Sequence, residues 1–241
     1  MKLTILCVTS IDHGQALNFI RRLFDQAATL RAQLVVAADG DHAYNACTVL
    51  WPQQTVRVHN PGDPSLERLI DQALPSCSGD YVLRIDDDEW ISPNMFAWLK
   101  SGTYLNQDHW SFTRVYWWKR RGLLIRTSEL FPDVQTRLST REKSGGRLQL
   151  HAGSPFGWGI MAPPEVVIEH HKFLVKTYAE RVVIADRYER FHPGFGRGRM
   201  LGYTLPEDAY TNSVQFIYFQ AGEYDVTQPY EIRVLPIHDV T

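Results

Sequence analysis

Three unbroken apolar runs, LTILCVTS (3–10), AQLVVAADG (32–40) and YVLRI (81–85), alternate in the first hundred residues with segments of helical period. Runs without polar alternation are strands covered on both faces, and strands separated by helices belong to a parallel sheet. QALNFIRRLFDQAATL (15–30) places Leu17, Ile20, Leu23, Phe24 and Ala27 on one helical face, and PSLERLIDQAL (64–74) is a second amphipathic helix. TVRVHNPG (55–62) reads as a short strand with a turn. The expected class is α/β, with a Rossmann-like, mostly parallel central sheet flanked by helices.

Sheets of this kind collect ligands beyond the C-terminal ends of their strands. Thr9 and Ser10 follow the first strand, Asp39 the second, and Asp86, Asp87, Asp88 and Glu89 the strand YVLRI, so all would line one crevice. Singly, each also reads as a loop residue, and Ser10 or Asp12 as a cap of the helix that follows. Four adjacent carboxylates repel one another unless solvent or a cation screens them, and a solvated acidic turn is the plain alternative. In an extended segment Asp86 and Asp88 point to the same side. Such a pair suits a hard divalent cation, Mg2+ or Mn2+, which also takes substrate phosphates as ligands. A cation so placed stabilises the charge on a departing diphosphate.

Beyond residue 100 the pattern turns to β-rich sequence. DHWSFTRVYWWKRRGLLI (108–125) suggests a hairpin around a Lys119-Arg120-Arg121-Gly122 turn, and residues 132–151 and 166–173 suggest further strand pairs. Residues 175–191 form a clear helical pattern, HPGFGRGRMLGY is a glycine-rich loop, and the aromatic tail 211–241 is strand-prone but has no assigned place. Without a repeat or a linker, the expectation is one domain over residues 1–241, with a smaller mixed β region toward the C-terminus.

A formal net charge of −2 over 241 residues gives no global field toward nucleic acid or an acidic membrane. Cys7, Cys47 and Cys77 lack metal spacing, and an odd number argues against a disulfide framework. MKLTILCVTS runs directly into strand-like sequence and reads as structure, not as a signal peptide. No window approaches the ~20 apolar residues that span a bilayer. The expected setting is cytoplasmic, with peripheral docking at a membrane left open.

The acid cluster after Gly79-Asp80-Tyr81-Val82-Leu83 resembles the Asp-x-Asp motif of family 2 glycosyltransferases of the GT-A fold. PDVQTRL (132–138) resembles that family's Pro-Asp-x-Gln-x-Arg-Leu segment, and IEHHKF (168–173) with the helical pattern after it resembles its His-Tyr-Lys strand and helix. The resemblance covers about residues 3 to 190. It implies a GT-A-type fold with a nucleotide-sugar donor, a uridine diphosphate sugar by family habit, bound across the parallel sheet. Residues 1–100 would then be the nucleotide-sugar-binding half, 101–205 the acceptor-side half and 206–241 a C-terminal tail.

By the same resemblance Thr9 and Asp39 hold the nucleoside, with Ser10, Arg68 and Asp87 as further donor-binding candidates. Asp86 lies near the ribose, donor sugar or metal, and Asp88 binds the Mn2+ or Mg2+. His170 matches a metal- or diphosphate-facing histidine. His171 stands where a tyrosine is common, and since strand neighbours face opposite ways His170 is preferred. Arg137 either touches the diphosphate or braces the acids, and Lys172 is a lesser diphosphate candidate. Trp117-Trp118-Lys119-Arg120-Arg121 is either acceptor-facing or a tryptophan stack with a solvated basic turn.

The family inverts the anomeric centre with a carboxylate base. Many relatives carry a His-Glu pair after the Arg-Leu segment, whereas His151-Ala152-Gly153 here has no acid. Asp208 and Glu207 are slightly preferred as substitutes. Glu165, Asp133 and His151 are the others, and a histidine with a pKa of about 6.5 suits the role. Two other classes compete: a nucleotidyltransferase-like enzyme, and a non-catalytic nucleotide-sugar- or carbohydrate-binding module. Against the first, VTSIDHGQAL (8–17) has no lysine or arginine and a single glycine. The acceptor stays open among a glycan, a lipid-linked sugar, a protein, a small molecule and a modified nucleic acid, and so does the oligomeric state.

Overall fold

The structure, a computed structural model, describes residues 2–60, 67–118, 120–126, 133–145, 159–194, 204 and 215–218, with backbone only at 67, 118, 120–126 and 215–218. The chain divides into two compact units, Met1–Phe112 with Val134–Ile168, and Thr113–Asp133 with Glu169–Thr241.

In the first unit, β1 (Leu3–Thr9), β2 (Gln33–Asp39), β3 (Thr55–Val58) and β4 (Tyr81–Asp86) form a parallel sheet in the order β3-β2-β1-β4. The apolar runs become central strands because both faces are covered. Ile5, Cys7, Val36, Leu83 and Ile85 join one core, and Leu6, Val8, Val35, Ala37 and Val82 join the other. The first core also takes Ile20 and Leu23 of α1 (Ala16–Leu30) and Met95 and Leu99 of α4 (Pro93–Ser101). The second takes Leu69 and Ile70 of α3 (Glu67–Ala73). Gly79 lets β4 approach β1, because a Cβ there would sit 2.6 Å from the Thr4 backbone nitrogen.

The buried face of α1 is Ala16, Phe19, Ile20, Leu23 and Ala27. The expected face is thus rotated, and Phe24 is exposed. Gln15 is the N-cap and no side chain caps the helix, so neither Ser10 nor Asp12 has that role. Sequence periodicity missed α2 (Gly40–Leu50), which buries only Ala43 and Cys47, and α4, which is short. A start signal was present for α4: Ser92 accepts a hydrogen bond from the Met95 N–H, and Pro93 opens the helix. On the other side of β4, β8 (Asp133–Thr140) runs antiparallel with Leu83 opposite Leu138, and β6 (His109–Trp118) follows it. β5 (Glu89–Ile91) comes directly after the acid turn, and β9 (Ile160–Met161) pairs in parallel with β6 at Trp110 and Ser111.

In the second unit, β7 (Arg120–Arg126) pairs antiparallel with β6, with Trp118 opposite Arg120. The expected hairpin is present but tighter, since Arg120 and Arg121 belong to the strand and not to the turn. β11 (Gln215–Tyr218) adds to β7, which gives part of the tail a place. β10 (Val167–His170) stops earlier than expected, and α5 (Lys172–Val175) and α6 (Tyr178–Phe191) follow. Thr177 and Glu180 form a reciprocal capping box that starts α6. Among the described residues no helix is long and apolar enough to cross a membrane.

Candidate functional site

β4 ends at Asp86, Asp87 and Asp88 form a tight turn, and Glu89 opens β5. The turn breaks the extended alternation that would put Asp86 and Asp88 on one side. The solvated acidic turn is excluded, because Asp86, Asp87, Asp88 and Glu89 are only 9%, 8%, 5% and 0% exposed. Much of the screening comes from the protein itself.

Arg137, buried in β8 beside β4, donates to both oxygens of Asp86 at 3.2 and 2.9 Å and to Glu89 at 2.7 Å. Arg84 adds a bond of 3.0 Å to Asp86. Glu89 also accepts the Asp86 N–H at 2.9 Å, which closes the turn. Burial works to raise the Asp86 carboxyl, but the charges of Arg137 and Arg84 outweigh it and hold the group well below the usual carboxylate range. Arg137 thus contacts the acids, as its bracing role expects.

Asp87 turns to a different set of partners. Its Oδ2 accepts from the Thr9 hydroxyl at 2.5 Å, and the Thr9 oxygen accepts the Ile11 N–H at 3.0 Å. Its Oδ1 lies 3.6 Å from His13 Nε2. Burial pushes the Asp87 carboxyl above its ordinary value, and the nearby His13 offsets only part of that rise while Asp88 and Asp12 add to it. Asp12, His13 and Asp87 converge with their ligand atoms all within 4.8 Å. The loop bends at Ile11, whose φ of 52° is costly for a β-branched residue.

Thr9 and Asp87 are therefore in direct contact, and Asp39 sits at the end of the adjacent strand. Asp39 accepts the Asn60 N–H at 3.0 Å. Ser10 is exposed after β1, and Arg68 is exposed on α3. Glu165 is half-buried. Asp208, Glu207 and His151 lie outside the described residues, as does Lys119.

In the second unit Asp133 accepts from Arg114 Nε at 2.8 Å and from the Tyr116 hydroxyl. Glu169, fully buried, accepts from Trp117 Nε1 at 2.9 Å and lies 3.5 Å from His171 Nε2. The ring of His170 packs on Tyr116 with centroids 4.6 Å apart. Both histidines are buried. His171 stands at the N-cap of α5, after the strand has ended, so strand alternation does not distinguish it from His170. Lys172 begins α5.

Sequence inspection missed His13, Arg84, Arg114 and Glu169, and saw Asp12 only as a cap. Asp12 and His13 follow β1 directly, so the strand-end rule that selected Thr9 would have reached them. Arg84 carried a quieter signal: a charged residue inside a central strand needs a partner, and Asp86 lies two residues on.

No family model and no curated protein matches the chain. Among solved structures, it is similar to the mannosyltransferase PcManGT from Pyrobaculum calidifontis in complex with GDP-Man and Mn2+, at 13% identity over 84% of this chain and 69% of that one, with a TM-score of 0.50. It is also similar to S. aureus TarS 1–349 in complex with UDP-GlcNAc (12% identity, 78% and 67% covered, TM-score 0.46). A nucleotidyl transferase from Methanothermobacter thermautotroptrophicus follows (14% identity, 79% and 99% covered, TM-score 0.41). At these identities the likeness concerns the fold. The α/β class expected from the sequence is the one found, a GT-A- or Rossmann-like sheet flanked by helices.

Proposed function

We propose that the chain is an inverting, metal-dependent glycosyltransferase that moves a sugar from a nucleoside diphosphate sugar, with UDP the preferred nucleotide, to an acceptor hydroxyl. The observation that carries the proposal is the buried acid turn at the C-terminal end of β4, held by Arg137 and joined through Asp87 to Thr9 at the end of β1. A stable fold tolerates so much buried negative charge most readily where the charge has work to do.

The cation is assigned to Asp88. Asp86 is a poor ligand, because both of its oxygens already accept from guanidinium groups. Asp88 fits better, being buried in the turn with its charge felt by both neighbouring carboxylates. When bound, Mn2+ or Mg2+ supplies charge stabilisation for the departing diphosphate. Thr9 and Asp39 position the nucleoside at the strand ends, and Arg137 keeps the turn rigid. Asp208 or Glu207, with His151 third, takes the proton from the acceptor hydroxyl.

Product analysis tests the reaction class. Incubation of the chain with a nucleotide sugar and Mn2+ should release free nucleoside diphosphate, by transfer or by slow hydrolysis. Release of pyrophosphate would instead indicate a nucleotidyltransferase, a class disfavoured by a β1–α1 loop without lysine or arginine. Saturable donor binding without either product would indicate a binding module.

A further inference from the structure

We propose that Asp12, His13 and Asp87 form a binding site for a divalent first-row transition-metal cation, distinct from the position assigned to Asp88 and independent of the glycosyltransferase reading. The His13 Nε2 to Asp87 Oδ1 separation of 3.6 Å is too long for a hydrogen bond. It is the spacing of two donors that share one cation, since bonds of about 2.0–2.2 Å at octahedral to tetrahedral angles separate ligand atoms by roughly 2.9–3.6 Å. The third donor, Asp12, is exposed, and all three ligand atoms lie within 4.8 Å of one another, a span that a turn of its side chain must shorten for one cation to be shared.

The site has outer support. The Thr9 hydroxyl takes one oxygen of Asp87, which leaves the other toward His13, and Thr9 is itself fixed by the Ile11 N–H. Hydrogen bonds of this kind orient metal ligands and raise affinity. The left-handed backbone at Ile11 shapes the short loop that brings Asp12 and His13 to the acid turn. His13 and Asp87 are buried while Asp12 is exposed, so one side of the site opens to solvent for cation entry and further ligands.

The donor set selects the ion. Mg2+ and Ca2+ favour all-oxygen surroundings, whereas one imidazole with two carboxylates suits Mn2+, Co2+ or Zn2+. The structure therefore assigns a preference for these ions over Mg2+.

The test uses the metal-stripped full chain titrated with Co2+, whose visible d–d bands report nitrogen coordination, with Zn2+ affinity measured by calorimetry and excess Mg2+ as competitor. One cation should bind per Asp12–His13–Asp87 site, resist Mg2+ and survive in Asp88→Asn. His13→Gln should lose the nitrogen-dependent bands. Asp12→Asn, at an exposed position that spares the fold, should weaken binding at least as much as the roughly 10–100-fold that loss of an outer-shell partner costs. Circular dichroism and apo melting curves check that each variant folds. Wild-type affinity in both folded variants overturns the proposal, as does loss of the bands in Asp88→Asn alone. Absence of Co2+ and Zn2+ binding at millimolar metal overturns it equally.

Discussion

Arg137 in β8 and Asp86 at the end of β4 meet through two hydrogen bonds of 3.2 and 2.9 Å, both side chains buried. The same guanidinium reaches Glu89 at 2.7 Å. Two of the four crowded carboxylates are thus neutralised by the fold itself, before any cation is considered. A buried pair is strong evidence of mutual dependence and weak evidence of net stability, because desolvation offsets much of the attraction.

Truncating one partner should therefore be costly. Arg137→Met strands Asp86 and Glu89 in a dry environment and should lower unfolding stability by about 3–5 kcal/mol. Urea denaturation measures the loss. Adding Asp86→Asn and Glu89→Gln should recover much of it, because the three residues act as one network. A loss under about 1 kcal/mol in the single variant would mean that water reaches the acids despite their burial.

Acidity should separate Asp86 from Asp87. The folded pKa of Asp86 is depressed, so its contribution is complete above the ordinary carboxylate value of about 3.9 and is lost as pH falls below it. The folded pKa of Asp87 is raised, so the sign reverses: its contribution is complete below about 3.9 and is lost as pH rises through the raised value. In metal-free buffer, the stability gap between wild type and Asp86→Asn should be constant above about pH 4 and shrink below it. Asp87→Asn should gain on wild type as pH rises from about 4. Urea midpoints across that range check both.

The thiols should be inert in the native state. Cys7, Cys47 and Cys77 are all buried, and burial pushes Cys47 and Cys77 up to about 11. Native protein at pH 8 should react with a thiol reagent only at its unfolding-limited rate, and all three should label promptly in urea. Rapid labelling of the native chain would show that one of the two cores opens.

The parallel half of the fold was legible because its strands are buried on both faces, and unbroken apolar runs report that directly. α2 was not, since a helix burying only Ala43 and Cys47 leaves no apolar stripe. The hairpin turn was overestimated because basic residues read as turn or solvent, while Arg120 and Arg121 belong to β7. At the site, strand-end logic located Thr9, Asp39 and the acids. Which carboxylate faces which partner depends on the two-residue turn at Asp87-Asp88, and no period in the sequence encodes that. The contact of Arg137 with Asp86 depends on β8 lying beside β4, a pairing that no local pattern encodes.

A cation at the acid turn and a nucleoside diphosphate sugar should bind together. Thermal unfolding of the full chain with a panel of UDP- and GDP-sugars, with and without Mn2+, is the decisive measurement. At least one donor at about 100 times its Kd should raise Tm by roughly 5–10 °C only when metal is present. Asp88→Asn, its own unfolding followed in parallel, should abolish the shift. A donor that stabilises equally without metal, or an Asp88→Asn variant that keeps the full shift, would rule out joint binding at this turn.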